Sequence, residues 1–263
     1  EGFEARGARK ANEEIVTNSV RYAPDDAEII YLSSQAAFGS ELGGTWSDWS
    51  LYTREKRNSE KLLFDMCNET RKSGYVFRVG NVYGANQENT GQILDAIGDA
   101  EVVDIVADPD KPTNVVHTVT LLDAVQRCGE GNVEPGRYSL VNNPEWTPRD
   151  VFDHYGGDDL TVRFHSPDDG GRLGGFGGKL WGAVEDKQTV LRTFTVFLPD
   201  WANQILFHQY LKSQRLGELS SLQTGNPYEY HMFEVDPMPG ERVPGLERTK
   251  TLLEETEAPD VFR

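Results

Sequence analysis

Cysteine is scarce. Cys67 and Cys128 are the only two among 263 residues. That excludes a disulfide framework and a cysteine-built metal site, and predicts ordinary thiols in a reducing cytoplasm. Long apolar runs are missing as well: none approaches the roughly 20 residues that a membrane-crossing helix needs. The opening stretch, Glu1-Gly2-Phe3-Glu4-Ala5-Arg6, has neither the apolar core of a secretory signal nor an initiator Met. No signal peptide is expected, and the chain is expected to begin inside a longer protein. Basic residues are outnumbered, 26 against 43 acidic ones, for a net charge of -17. Such a surface repels nucleic acid and anionic lipid, so neither is an expected partner. The acidic residues are spread rather than gathered into a tail, which argues against disorder. Few lysines among abundant Asp and Glu predict a protein adapted to high salt, where self-repulsion is screened. The five histidines (His117, His154, His165, His208 and His231) are scattered without metal-ligand spacing, and no metal is expected.

What is present reads as an alternation of helices and strands. Ala11, Ile15, Val16 and Val20 recur at helical spacing within residues 8 to 22. The segment APDDA breaks that helix, and Glu28 to Leu32 follows as a short apolar run typical of a buried parallel strand. Residues 36 to 50 read as a loop, 51 to 72 as a long helix and Tyr75 to Val79 as a second buried strand. A helix from Gln92 to Gly98, a strand from Val102 to Val106, a helix over 118 to 128 and a strand from Arg137 to Val141 continue the pattern. Thr147 and Pro148 mark the cap and first position of a further helix. Residues 166 to 182 are a Gly-rich loop, 199 to 219 a helix, and 246 to 255 a short helix. The alternation predicts an α/β fold with a parallel sheet.

Three stretches carry chemistry at strand ends or on the helix that follows. Tyr52 and Lys56, four apart, share a helix face. A phenol beside an ammonium can exchange a proton with an alcohol or carbonyl during hydride transfer. Ser33, Ser34 and Gln35 follow a buried strand, where a hydroxyl can hold a reacting oxygen. Asn81, within Arg78-Val79-Gly80-Asn81-Val82-Tyr83-Gly84, offers a donor and an acceptor at the next strand end. Each alone is commonplace: a solvated helix face, a turn-forming serine pair, a cap.

Together, in this order, they resemble the extended short-chain dehydrogenase/reductases, the family of NAD-dependent sugar-nucleotide epimerases and dehydratases. That family has a Ser-Ser run ending in Tyr-Gly, then Tyr-x-x-x-Lys, then Arg-x-x-Asn-x-Tyr-Gly. These match positions 33 to 39, 52 to 56 and 78 to 84. Glu60 matches an acidic position common in the same helix, and Asn12 and Asn18 match the helix before the Ser-Ser strand. Downstream, Val115-Val116-His117, Gly136 to Pro144 and Thr147 to Val151 resemble further family segments, so the likeness runs over roughly residues 10 to 155. It implies an incomplete Rossmann-like parallel sheet with helices, plus a smaller C-terminal substrate-binding α+β domain. The division would be 1–142 for the remainder of the NAD(P)-binding domain, with 85–111 assigned to the substrate lobe, and 143–263 for the substrate domain. Catalytic roles would fall to Ser34, Tyr52 and Lys56. Ser33, Tyr52, Lys56 and Val79 would contact NAD or NADP, and Ser34, Gln35 and Asn81 a nucleotide-linked sugar. A homodimer through the Tyr52–Lys56 helix and the preceding helix is also implied.

The sequence departs from the family in several places. No glycine-rich turn on a first strand opens the chain, which is therefore expected to be truncated. The Gly-rich stretch at 170 to 178 comes too late and follows no strand to replace it, and Gly178-Lys179-Leu180 is no P-loop. Phe38 stands where Tyr is usual, and Thr118-Val119-Thr120 where carboxylates are. Ser34 and Tyr52 are only 18 apart. Epimerase, dehydratase and reductase outcomes share this residue set, and Gln35 and Ala36, in place of acidic neighbours, argue against dehydration. Two other readings stay open: a non-catalytic binding or regulatory protein on the same fold, and a carbonyl reductase of the same family.

Overall fold

The computed structural model describes residues 5–42, 51–98, 101–157, 160–165 and 236–256. Helix α1 (Ala5–Tyr22) leads to β1 (Glu28–Ser34) and a 3-10 segment (Gln35–Leu42); α2 (Leu51–Thr70) then returns to β2 (Ser73–Val79). After β3 (Asn81–Tyr83) come α3 (Glu88–Ile97), β4 (Val102–Val106), β5 (Val115–His117), α4 (Thr118–Gly129) and β6 (Gly136–Leu140). Helix α5 (Pro148–Gly156), β7 (Thr161–His165) and α6 (Thr249–Glu255) complete the described elements. The Gly-rich loop and the helix read over 199 to 219 lie outside the described residues.

Every described ladder is parallel. Strands β1, β2 and β6 form one sheet with β2 central; β3 pairs β5, and β4 pairs β7. Parallel neighbours need a crossover, and α2 supplies it between β1 and β2. This is the parallel, helix-covered arrangement of a Rossmann-like α/β fold. The central strand shows why: from Gly74 to Val79 every residue of β2 is buried, the mark of a strand covered on both faces.

Helix α1 buries Val16 and Val20 against Leu63 and Cys67 of α2 and Val76 of β2. Arg9–Glu13 at 2.8 Å and Lys10–Glu14 at 3.6 Å line its exposed side, and Lys72 reaches its last turn, donating to the Val20 and Ala23 carbonyls at 2.8 and 2.6 Å. A lysine there satisfies carbonyls that the helix end leaves unpaired. A separate core joins Tyr83, Ile93, Ile105, Trp146, Val151 and Phe152, drawn from β3, α3, β4 and α5. Residues 236 to 242 run beside β6, parallel to it where Ser139 bridges Arg242: Ser139 N donates to the Glu241 carbonyl at 2.7 Å, and Asn114 grips both Asp236 O and Met238 N.

Three expectations change. Residues 36 to 42 are not open loop but 3-10 turns, kinked at Gly39 (φ 62°), because Phe38 is buried and Arg57 gathers the Ala37 and Phe38 carbonyls at 2.7 and 2.9 Å. Helix α3 begins at Glu88 rather than Gln92. Asn81–Tyr83 and Thr161–His165 are strands, too short and irregular in pattern to read from periodicity. The cap at Thr147 is as expected: its side chain accepts from Asp150 N, Asp150 answers Thr147 N, and Pro148 opens α5.

Candidate active site

The carboxyl ends of the strands carry the sequence-selected residues. Register sets Ser34 opposite Val79, and Val79 opposite Leu140, in one row across the sheet. Ser34 Oγ accepts from Ala36 N at 3.2 Å, a local turn contact. Gln35 Nε2 donates to Asn81 Oδ1 at 3.0 Å, which ties the residue after β1 to the first residue of β3. Between them Gly80 sends its N–H to Leu140 O and presses so close to Asn114 that a Cβ would lie 1.8 Å from the Asn114 carbonyl oxygen. A side chain does not fit at that crossing.

Helix α2 packs against β1, β2 and the 3-10 segment. Tyr52, 39% exposed, stands in its first turn, and Lys56 one turn on. The Lys56 ammonium donates to the Leu32 carbonyl at 3.3 Å and sits 5.2 Å from the Tyr31 ring centroid and 5.6 Å from that of Tyr52. Both rings are within cation–π range. Burial pushes the Tyr31 phenol up; a hydrogen bond with Ser59 opposes this, and the Glu60 and Glu55 charges add to it. Burial likewise raises the Glu55 carboxyl, against the Asn12 amide that donates to it at 3.3 Å.

One turn below Lys56, Glu60 is fully buried. Its carboxylate accepts from Ser33 Oγ at 2.6 Å, from Arg78 Nε and Nη2 at 3.0 and 2.8 Å, and pairs with Arg137 Nε at 3.0 Å. The Ser33 hydroxyl is therefore engaged with Glu60. Arg78 stacks on the Phe38 ring, its guanidinium carbon 4.3 Å from the centroid, so the Phe at this position has a packing role that needs no hydroxyl. Family resemblance marked Glu60, but not its partners. The available signal was Arg78, a charge inside the apolar strand Tyr75-Val76-Phe77-Arg78-Val79, which demands a buried counter-ion.

Farther along, the start of α4 lacks carboxylates, and His117 replaces them: its Nδ1 accepts from Val119 N at 3.3 Å. The buried Asn142 accepts from His117 N at 2.7 Å, and Thr120 meets Thr249 of α6 at 2.8 Å. His117 and His154 lie with ring centroids 5.9 Å apart, and His165 meets Asp104 at 2.7 Å. Among the described residues no group of three or more His, Cys, Asp or Glu could hold a metal, and no helix is long and apolar enough to cross a membrane.

No protein-family model and no curated protein matches the chain. Solved structures do. A UDP-N-acetylglucosamine 4-epimerase from Bacillus cereus is 13% identical with a TM-score of 0.47, over 63% of this chain and 63% of that one. A UDP-glucuronic acid 4-epimerase from Bacillus cereus in complex with NAD is 15% identical with a TM-score of 0.40, over 59% and 55%. A dTDP-glucose 4,6-dehydratase from Streptomyces venezuelae with NAD bound is 18% identical with a TM-score of 0.41, over 62% and 53%. The chain thus spans between a half and two thirds of these structures' own lengths.

Proposed function

We propose that the chain is part of an NAD(P)-dependent oxidoreductase of the epimerase/dehydratase kind, acting on a hydroxyl of a nucleotide-linked sugar through Ser34, Tyr52 and Lys56. One observation carries the reading. The Lys56 ammonium hydrogen-bonds to the Leu32 carbonyl, two residues before Ser34, and lies 5.6 Å from the Tyr52 ring centroid. Ligands of open α/β sheets bind outside the carboxyl ends of their strands. A phenol, an ammonium and a strand-end hydroxyl at that edge are the groups a proton-coupled hydride transfer requires.

The donor set fits the nicotinamide-ribose half of a dinucleotide. Lys56 would hold the ribose hydroxyls, with Tyr52, Ser33 and Val79 beside them. The described residues include no glycine-rich turn that opens a helix, so they offer no cradle for the pyrophosphate. When bound, the nicotinamide supplies or accepts the hydride. Tyr52 takes or returns the proton of the sugar hydroxyl, and Ser34 holds the same oxygen. Gln35 and Asn81, already joined, bound the substrate side.

On this reading residues 1–142, apart from 85–111, form the nucleotide half, and the rest forms the sugar half. The core that joins Ile93 and Ile105 to Trp146, Val151 and Phe152 supports grouping 85–111 with the segment after 142, and Tyr83 and Val115 of the nucleotide half pack into it as well. A cytoplasmic location follows from the same reading. So does a homodimer through α1 and α2, where Ile15 and Tyr22 remain 62% and 76% exposed.

The test is Tyr52→Phe in a protein that turns over UDP-sugar in the presence of NAD+ or NADP+. General acid–base catalysis is typically worth about 10²–10⁴-fold. A loss of that order in kcat, with unchanged sugar-nucleotide binding, is expected. Full turnover in the variant would remove Tyr52 from the chemistry. A protein whose measurable activity is binding alone would leave the non-catalytic reading standing.

A further inference from the structure

We infer that Tyr31 is a positioning residue for Lys56, its ring forming one wall of a cation-binding notch whose other wall is Tyr52 and whose floor is the Leu32 carbonyl. This rests on the roles proposed above for Tyr52 and Lys56. Successive side chains of a strand point to opposite faces, so Tyr31 and Ser33 share one face of β1. Both meet α2 there: Ser33 through Glu60, and Tyr31 through Ser59 and the Lys56 ammonium. Leu32, between them, is 43% exposed on the other face and contributes only its carbonyl.

The geometry is specific to the cation. Lys56 Nζ stands 5.2 Å from the Tyr31 centroid and 5.6 Å from the Tyr52 centroid, within cation–π reach of both rings. A four-carbon lysine stem has several accessible rotamers and is costly to immobilise. Leu32 O alone fixes one direction of approach. The Tyr31 ring adds a second contact and holds the ammonium within reach of the Tyr52 ring, whose phenol is to move the proton. Burial pushes the Tyr31 phenol up, and its interaction with Ser59 opposes the shift, so the hydroxyl is directed to Ser59. The face of the ring, and not its hydroxyl, is what acts on Lys56.

Limited acetylation tests this without substrate or cofactor. The full chain and its Tyr31→Phe and Tyr31→Leu variants are treated at pH 8 with sub-stoichiometric acetic anhydride. Lys56 labelling is then measured by mass spectrometry relative to Lys61, an exposed lysine of the same helix. The thiol of Cys67, 3% exposed in the α1–α2 core, reports whether the fold is intact by staying unreactive. The Lys56:Lys61 ratio should match wild type in Tyr31→Phe, which keeps the ring. It should rise about two- to five-fold in Tyr31→Leu, the factor that one partly exposed cation–π contact supplies. If Tyr31→Leu exposes the Cys67 thiol, Tyr31→Ile, a better strand former, is read the same way. An unchanged ratio in the ring-less variant overturns the proposal. So does an equal rise in Tyr31→Phe, which would place the effect in the hydroxyl. Because labelling needs no turnover, a failed Tyr52→Phe test and a failed Tyr31 test are separate results.

Discussion

Replacing Glu60 by Gln is the sharpest perturbation of the sheet's charged edge. The side chain keeps its size, so any effect comes from charge and hydrogen bonding. Glu60 is fully buried and serves three partners: Ser33, Arg78 and Arg137. A glutamine offers one acceptor oxygen and turns an N–H₂ toward guanidinium donors. The two arginines then part ways. The Arg137 side chain is 45% exposed and can turn to water, so its share is small. The Arg78 side chain is 11% exposed, stacked on Phe38, and has no such escape. Breaking a buried pair by removing one partner costs about 3–5 kcal/mol. With Arg137 discounted, a loss of ~3 kcal/mol is expected, a large share of the roughly 5–15 kcal/mol that holds a domain together. Urea unfolding followed by circular dichroism measures it, as a fall in midpoint with unchanged slope. In the same assay Arg137→Ala should lose less than about 1 kcal/mol. The double change Glu60→Met with Arg78→Met should recover much of the loss, because well-packed apolar replacements of buried pairs are often neutral. A Glu60→Gln variant that unfolds within about 1 kcal/mol of wild type would show that the carboxylate does not anchor this edge.

Other outcomes follow from single contacts. Gly80→Ala should cost about 3 kcal/mol, the upper range for overpacking, because its Cβ would meet a carbonyl held by Asn81 N and by the Asn114 side chain's own bonds to the 236–238 segment; thermal melts read it directly. At Asp150 burial opposes ionisation, but the Thr147 backbone and hydroxyl and the Lys250 ammonium outweigh it and hold the carboxyl below its ordinary value. A depressed acid stabilises the fold above its unfolded pKa, near 4, and that stabilisation is lost as pH falls through the lower folded value. Asp150→Ala should therefore be about 1 kcal/mol less stable at pH 7, the typical worth of a helix cap, with the gap narrowing below pH 4 in paired melts at each pH.

What the sequence shows of this molecule depends on how local each signal is. Strand β2, buried on both faces, appears as an apolar run and was legible as such; β1 and β6 were legible as strands, but the buried strand expected over Glu28–Leu32 is only half-buried, with Ser33 the one buried residue of β1. The cap at Thr147 and Pro148 is chemistry within four residues and was legible in full. Strands β3 and β7 were not, because three to five residues carry too little periodicity. The turns over 36 to 42 were missed for another reason. They are held by Arg57, some 20 residues along the chain, and by the burial of Phe38. The charged edge was half legible. An arginine inside an apolar strand announces a buried partner, but not that Glu60 is the partner or that Ser33 and Arg137 share it. Tyr31 gave no sign at all, since its relation to Lys56 exists only once β1 lies under α2.

Helix α2 shows how one element can be both anchor and working part. Its buried side changes character along its length. Leu63 and Cys67, toward the C-terminus, join the apolar core with Val16, Val20 and Val76. Ser59 and Glu60, one turn earlier, are buried but polar, and they bind the strand residues Tyr31, Ser33 and Arg78. Lys56 and Tyr52, earlier still, reach half-exposed and exposed ground at the strand ends. Apolar burial resists opening most and exposed contacts least. The stable end of the helix is therefore the end without chemistry, and the freedom of the reactive end is limited by the polar turn between them. A substitution at Leu63 should lower stability and leave the Lys56 notch as it is. One at Glu60 should do both kinds of damage, because Glu60 is the link through which the packed half of the helix fixes the reactive half on the sheet.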